Sequence, residues 1–372
     1  TMPDYFTQVE AVSTYHPSDD NSAYINGTIV STHGTTLTTA CTIDPEDKMI
    51  HFIGTAQRNS KSFNSLTEKS LYYYDYTSNK FKFSRQKLDS FIDRPSCILA
   101  HHGMITVATR DIPGKVIQYE LGENNELKHI RTIVTLSEDI IHCLHDEASD
   151  IGYFIAAKAS AVSKIALSNG TILSELVTGA FFSSFSTYTT DSPFVAQLAN
   201  EYIYMFGIRN NYSVMLKMNK NSFERTAVAL NLERHAPAPI FFGYGSYIDT
   251  SPSSSSSTPD PIVYVTILYR SLDHVWKRAL VSIPVDHVKE LTIGTISETV
   301  DDNVHPQVPC MFKRGKYMYA ALNLPNKPNC TVMAIDLNSD LKNGYYAKTS
   351  VHYQYTRNVN HPACTIYSCV LG

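Results

Sequence analysis

The chain has 372 residues and a formal net charge of −4, and is 43% hydrophobic, 11% aromatic and 18% charged. That is too apolar and too weakly charged for a disordered chain, and 31 basic against 35 acidic residues leave no electrostatic footprint for nucleic acid. No apolar run is long enough for a transmembrane segment, and the length fits two or three domains or one large all-β domain.

Stretches with helical periodicity are nearly absent. Two β-type runs open the chain, Phe6–Tyr15 and Ala23–Ser31. From about residue 36 a unit recurs: a short first run, a second run rich in β-branched and aromatic residues, then two runs joined by a polar turn. In order, the second run and its hairpin are Met49–Ile53 with Leu71–Phe83, Met104–Val107 with Val116–Leu127, and Tyr153–Ile155 with Val162–Leu173. They continue as Tyr202–Phe206 with Val214–Phe223, then Ile262–Ile267 with Arg278–Val285 leading to Leu291–Ile293. The last are Tyr317–Ala320 with Val332–Asp340 leading to Tyr345–Tyr346. Several first runs open near a proline, as in Arg94-Pro95, Ser192-Pro193, His235-Ala-Pro237, His305-Pro306 and His361-Pro362. Proline is tolerated at the first residue of a strand.

Four antiparallel strands repeated every 45 to 65 residues or so resemble the blades of a β-propeller. The resemblance implies an all-β, single-domain chain over 1–372. Its blades fall at 36–90, 91–136, 137–180, 181–232, 233–300 and 301–350, and 351–372 joins 1–35 in a seventh that closes the ring. Six blades with an N-terminal extension is the alternative. The Trp-Asp ending of WD40 blades is missing, Trp276 being the one tryptophan, as are the double glycine of kelch blades and the sialidase box. No family's functional residues therefore carry over.

Seven cysteines cannot pair completely within one chain. Cys41, Cys97, Cys143, Cys310 and Cys364 fall in expected first strands, where small buried side chains suit the limited room. Bridges between adjacent blades are not expected, because equivalent positions on neighbouring inner strands are usually too far apart. A Cys310–Cys330 or a Cys364–Cys369 disulfide is compatible with the spacing, and the sequence does not choose between them. The chain opens at Thr1 without an apolar leader, so a signal peptide is expected to have been removed or never present. Four sequons, at Asn26, Asn169, Asn211 and Asn329, point to a secreted glycoprotein, with Asn26 and Asn169 in Asn-Gly turn signals.

For chemistry, His101, His142, His145 and Asp146 lie near the first strands of the second and third blades. Converging at one mouth of a channel, a histidine and a carboxylate can act as base and acid. The plainer reading is histidine as a polar strand-end residue. His305 and His361, with Tyr72, Tyr74 and Tyr76, offer amphipathic contact area for a ligand. Asp336, Asn338 and Asp340 have the alternating oxygens of a calcium loop without its glycine and glutamate, so turn geometry explains them as well as a metal does. Residues 251–261, rich in Ser and Pro, read as a surface insertion. Nucleophile elbows, phosphate loops, Rossmann fingerprints and zinc-protease motifs are missing, and the Asp19-Asp20 and Asp301-Asp302 pairs sit in polar loops. No cofactor is expected. These observations favour a secreted or cell-surface module that binds protein or glycan, without enzymatic activity and with self-assembly by strand exchange as an option. A hydrolase or lyase with a His/carboxylate site is the alternative.

Overall fold

A computed structural model describes residues 8–14, 25–32, 37–44, 49–56, 68–75, 80–87, 95–121, 127–135, 139–183, 194–237, 239–250, 260–299, 311–322, 330–353 and 365–371. Strands β1 (Gln8–Thr14) and β2 (Ile25–Thr32) come first. The next sheet holds β3 (Leu37–Asp44), β4 (Met49–Ala56), β5 (Glu68–Asp75) and β6 (Lys80–Lys87). It is followed by the sheet of β7 (Pro95–His101), β8 (Met104–Thr109), β9 (Lys115–Leu121) and β10 (Leu127–Val134). Then come β11 (Ile140–Asp146), β12 (Ile151–Ala156), β13 (Ala161–Ala166) and β14 (Thr171–Val177). Three further sheets are β15 (Val195–Ala199) to β18 (Arg225–Ala229), β19 (Ile240–Asp249) to β22 (Thr292–Thr299), and β23 (Met311–Arg314) to β26 (Lys348–Tyr353). The last strand, β27 (Thr365–Leu371), pairs with β2, so strands from the two ends share one three-stranded sheet.

Neighbouring strands pair antiparallel, as in β3–β4, β7–β8 and β11–β12, and each four-stranded sheet runs in chain order from one edge to the other. Short connections make this possible, and two of them show how. His102 and Gly103 join β7 to β8 with φ of 44° and 69°. Asn210 and Asn211, at 51° and 68°, turn the chain between Arg209 and Tyr212. Both central residues of a tight hairpin need positive φ, and Gly, Asn and His accept it at lowest cost. Asn169-Gly170 also forms a turn, with Gly170 at 72°. Asn26-Gly27 does not: it lies inside β2, paired with Ser13 and Val12. The turn signal there is overridden by a partner strand on each side of Gly27.

The chain divides into two compact units, Thr1–Val177 with Asn326–Cys330 and Tyr353–Gly372, and Thr178–Pro325 with Thr331–His352. In the first unit, alternation along β7 sends Ile98 and Ala100 into one cluster with Ile105, Val107, Ile117 and Tyr119. Leu99 on the other face joins Ala108, Val116, Ile140, Phe154, Ile165 and Leu167, a cluster that spans the sheets of β7–β10 and β11–β14. In the second unit, Phe206, Phe242, Val265 and Val281 share one cluster, while Leu280, Met318, Met333 and Tyr346 share another. Sheets buried on both faces leave few places for charge, which accounts for the low charged fraction.

Cys97 and Cys143 edge the Leu99–Phe154 cluster and form a disulfide, with Cα atoms 5.9 Å apart. This corrects the expectation that neighbouring first strands stand too far apart for a bridge: β7 and β11 approach within ordinary disulfide range. Cys310 and Cys364 lie outside the described residues, so the Cys310–Cys330 and Cys364–Cys369 pairings fall there too. Among the described residues, no helix is long and apolar enough to cross a membrane.

Two substitutions test this packing. Phe154→Ala removes a fully buried ring and is expected to lower the unfolding free energy by about 3–5 kcal/mol. Replacing both Cys97 and Cys143 by Ala opens a loop of 46 residues and is expected to cost up to about 4 kcal/mol. Urea unfolding followed by circular dichroism checks both, and losses under about 1 kcal/mol would contradict the packing described.

Candidate functional site

The polar groups of the first unit gather where β7 and β11 end. His101 is the last residue of β7 and pairs with Met104 across the tight turn. Alternation puts it on the face of Cys97 and Leu99, toward the neighbouring sheet. On β11, His145 shares a face with Cys143 in the same way. The link from β11 to β12 is a turn in which Ser149 N–H donates to Asp146 O at 3.2 Å. It ends on Asp150 in the left-handed region, φ 51°. Leu167 N–H donates to Asp150 O at 3.0 Å and clamps that conformation.

The turn delivers the Asp150 carboxylate between two imidazoles. Oδ1 lies 3.3 Å from His101 Nδ1 and 3.6 Å from His145 Nε2. The rings are 5.6 Å apart between centroids and tilted by 55°. Exposure separates their roles: the His101 side chain is 1% exposed, His145 17% and Asp150 23%. His101 is thus an internal anchor, and His145 with Asp150 forms the edge that a ligand can reach.

A hydrogen-bond chain holds the anchor. Gln118 Nε2 donates to Leu167 O at 2.7 Å and to Thr106 Oγ1 at 3.2 Å. Thr106 Oγ1 is 3.1 Å from His101 Nε2. Thr106 accepts from Gln118 and has a hydroxyl proton to offer His101 Nε2, and with that donation the ring proton sits on Nδ1, toward Asp150. All three of these side chains are buried, so each hydrogen bond replaces one to water. An oriented carboxylate beside a reachable imidazole is the arrangement of general acid–base chemistry.

First-strand ends also meet through polar groups in the second unit. Gln197 Nε2 of β15 donates to Ser246 O at 3.1 Å and Ser246 Oγ at 2.8 Å on β19. Lys313 of β23 pairs with Asp249 at the end of β19. Burial, then the Asp249 charge, pushes the Tyr264 hydroxyl up to about 12 and raises that of Tyr247. Lysine and tyrosine hold their protons at neutral pH, whereas imidazole exchanges its proton there, which makes the His101–Asp150–His145 cluster the better catalytic candidate.

Of the four residues put forward for catalysis, His101 and His145 come together. His142 and Asp146 alternate onto the other face of β11. Asp150, the group that joins the histidines, was not anticipated. Its signal is faint: a turn aspartate whose contact depends on a left-handed backbone and on a second sheet. Tyr72 and Tyr74 lie in β5, described as backbone only, and Tyr76, His305 and His361 lie outside the described residues. Asp336 Oδ1 accepts from Asn338 N at 3.0 Å and Oδ2 lies 3.4 Å from Lys316 Nζ. Asp340 Oδ1 accepts from Lys342 N at 3.0 Å. These oxygens serve the turn and its lysines, and no cluster of metal-binding side chains forms among the described residues. Asn169 is exposed in its turn, with Oδ1 accepting from Thr171 N at 2.8 Å, and Asn211 is exposed in its hairpin. Asn26 is described as backbone only, and Asn329 lies outside the described residues.

No protein-family model and no curated protein matches the chain. Solved structures do. A protein from Lactobacillus plantarum aligns over 91% of this chain and 93% of its own, at 10% identity and a TM-score of 0.51. A periplasmic gluconolactonase of Pseudomonas aeruginosa aligns over 97% and 98%, at 10% identity and a TM-score of 0.49. A candidate 6-phosphogluconolactonase of Bacteroides uniformis aligns over 81% and 82%, at 14% identity and a TM-score of 0.49. With the four-stranded antiparallel sheets, this likeness places the chain in the all-β class with a β-propeller fold. The expectation of a binding and strand-exchange module is corrected: two of these solved structures carry lactonase names, a property of those proteins, and the module is carried no further.

The backbone at Asp150 yields a test of the turn. Asp150→Gly relieves the left-handed strain and Asp150→Ala worsens it, so the alanine variant is expected to be about 1 kcal/mol less stable than the glycine variant. Equal urea midpoints, or a more stable alanine variant, would contradict the turn geometry.

Proposed function

We propose that this chain is a hydrolase that opens an ester by general base catalysis at His145. One observation carries the proposal: a partly exposed carboxylate, Asp150, placed between the reachable ring of His145 and the buried ring of His101. Asp150 orients His145 and stabilises the imidazolium that forms when His145 takes a proton from water. The hydroxide equivalent adds to the ester carbonyl. His145 then returns the proton to the departing alkoxide oxygen, leaving acid and alcohol. In a cyclic ester these remain one molecule, a hydroxy acid. His101 neither meets substrate nor moves a proton; it fixes Asp150 from the interior.

The same reading takes the seven sheets as seven blades, and places the chain in an oxidising compartment. The Cys97–Cys143 disulfide supports that compartment. The exposed sequons at Asn169 and Asn211 fit N-linked glycans if the compartment is a eukaryotic secretory pathway. Treatment of the secreted chain with an N-glycosidase is expected to lower its mass, with both asparagines converted to aspartate. An unchanged mass would remove the glycan assignment.

Gluconolactone is the first probe. His145→Gln and Asp150→Asn are each expected to lower kcat/KM by at least about 100-fold in a pH-stat assay, with the fold retained by circular dichroism. Full activity in His145→Gln would overturn the proposal. So would failure of the unmodified protein to accelerate hydrolysis of this lactone and of a panel of simple esters.

A further inference from the structure

We infer that the Cys97–Cys143 disulfide is a positioning element of the His145–Asp150 pair, so that the chemistry of this site is available only in the oxidised chain. The inference rests on the hydrolase reading of the site and adds its dependence on redox state.

His101 belongs to the sheet of β7–β10, and His145 and Asp150 to that of β11–β14. These are separate sheets, so no backbone ladder sets the 3.3 Å from His101 Nδ1 to Asp150 Oδ1. Apolar packing of Leu99 against Phe154 and its neighbours resists separation but is non-directional, and tolerates sliding. The Gln118 to Leu167 hydrogen bond is one directional tie. The disulfide is the covalent one.

Its placement suits the task. Cys143 precedes His145 by two residues on one face of β11, and Cys97 precedes His101 by four on the corresponding face of β7. At about 3.3 Å of rise per residue, the bond lies about 7 Å along the strand from His145 and about 13 Å from His101. Reduction by a dithiol breaks the S–S bond, adds two electrons and two protons to give two thiols, and leaves the reductant as its own disulfide. Without the bond, the level of β7 against β11 is held by non-directional packing and the Gln118 hydrogen bond alone, and a displacement of about 1 Å at a catalytic group can cost about 100-fold in rate.

The experiment compares the oxidised protein, the protein reduced with dithiothreitol, and the Cys97→Ala/Cys143→Ala variant. Thiol content is confirmed by iodoacetamide labelling and mass spectrometry. One readout is diethylpyrocarbonate modification of His101, located by peptide mapping, and the other is kcat and KM on gluconolactone. Both reduced forms are expected to expose His101 to the reagent at least about tenfold faster. They are also expected to lose about 100-fold in kcat with KM changed less than about threefold. Trp276, in the second unit, is expected to keep its fluorescence maximum. His101 protected equally in all three forms would overturn the inference, as would a Trp276 shift showing that the bond holds the whole fold. If the oxidised protein hydrolyses no lactone, the functional reading fails, while His101 protection still decides whether the disulfide positions the site.

Discussion

A four-stranded antiparallel sheet that must bury both faces has little room for polar chemistry except at the ends of its strands. That constraint orders the first unit. Between the sheets of β7–β10 and β11–β14, the interior is filled by Leu99, Ala108, Val116, Phe154, Ile165 and Leu167. A polar side chain placed among them would lose its water with nothing in exchange. Going along β7 from Cys97 through Leu99 to His101, the facing residue becomes polar at the turn, where Thr106 and Gln118 supply partners and Asp150 supplies a charge. The site is therefore a product of the packing: it lies where the dry interface stops.

The strain at Asp150 belongs to the same account. A non-glycine residue with φ of 51° costs free energy, and the surrounding hydrogen bonds hold it there. Without the left-handed turn, β11 would run into β12 with no carboxylate between the two imidazoles. The interior chain from Gln118 through Thr106 to His101 fixes one ring, and the strained turn fixes the carboxylate. His145 is left at the accessible edge, its Nε2 3.6 Å from that carboxylate. The Gln118–Thr106–His101 hydrogen bonds fix one ring, and the carboxylate approaches the two rings to 3.3 and 3.6 Å.

Much of the architecture could be read from hairpins. The alternation in Val116–Leu127 or Val162–Leu173, each broken by a polar turn, is local chemistry that a sheet preserves, and the strands stand where it places them. What depends on neighbouring sheets is not written in any one strand. Cys97 and Cys143 looked like separate packing residues because the distance between first strands is not written in either strand. Asn26-Gly27 reads as a turn until β1 and β27 claim its two sides. His101 and His145 were visible as strand-end histidines, but nothing near either one singles out Asp150, whose role arises only when two sheets meet. The same limit led from a lack of motifs to a binding module: a site assembled from a strand end, a second strand end and a turn has no motif to find.

The central claim is that the Asp150 carboxylate faces the Nδ1 edge of His101 across the interface between two sheets, 3.3 Å away. A long-range proton–nitrogen correlation spectrum of the histidine rings tests it most directly. The account predicts a His101 ring proton on Nδ1, protected from solvent exchange by burial and moved upfield in Asp150→Asn, where the carboxylate charge is lost. A His101 ring proton on Nε2, or an Nδ1 proton that exchanges with water as fast as that of an exposed histidine, would contradict it.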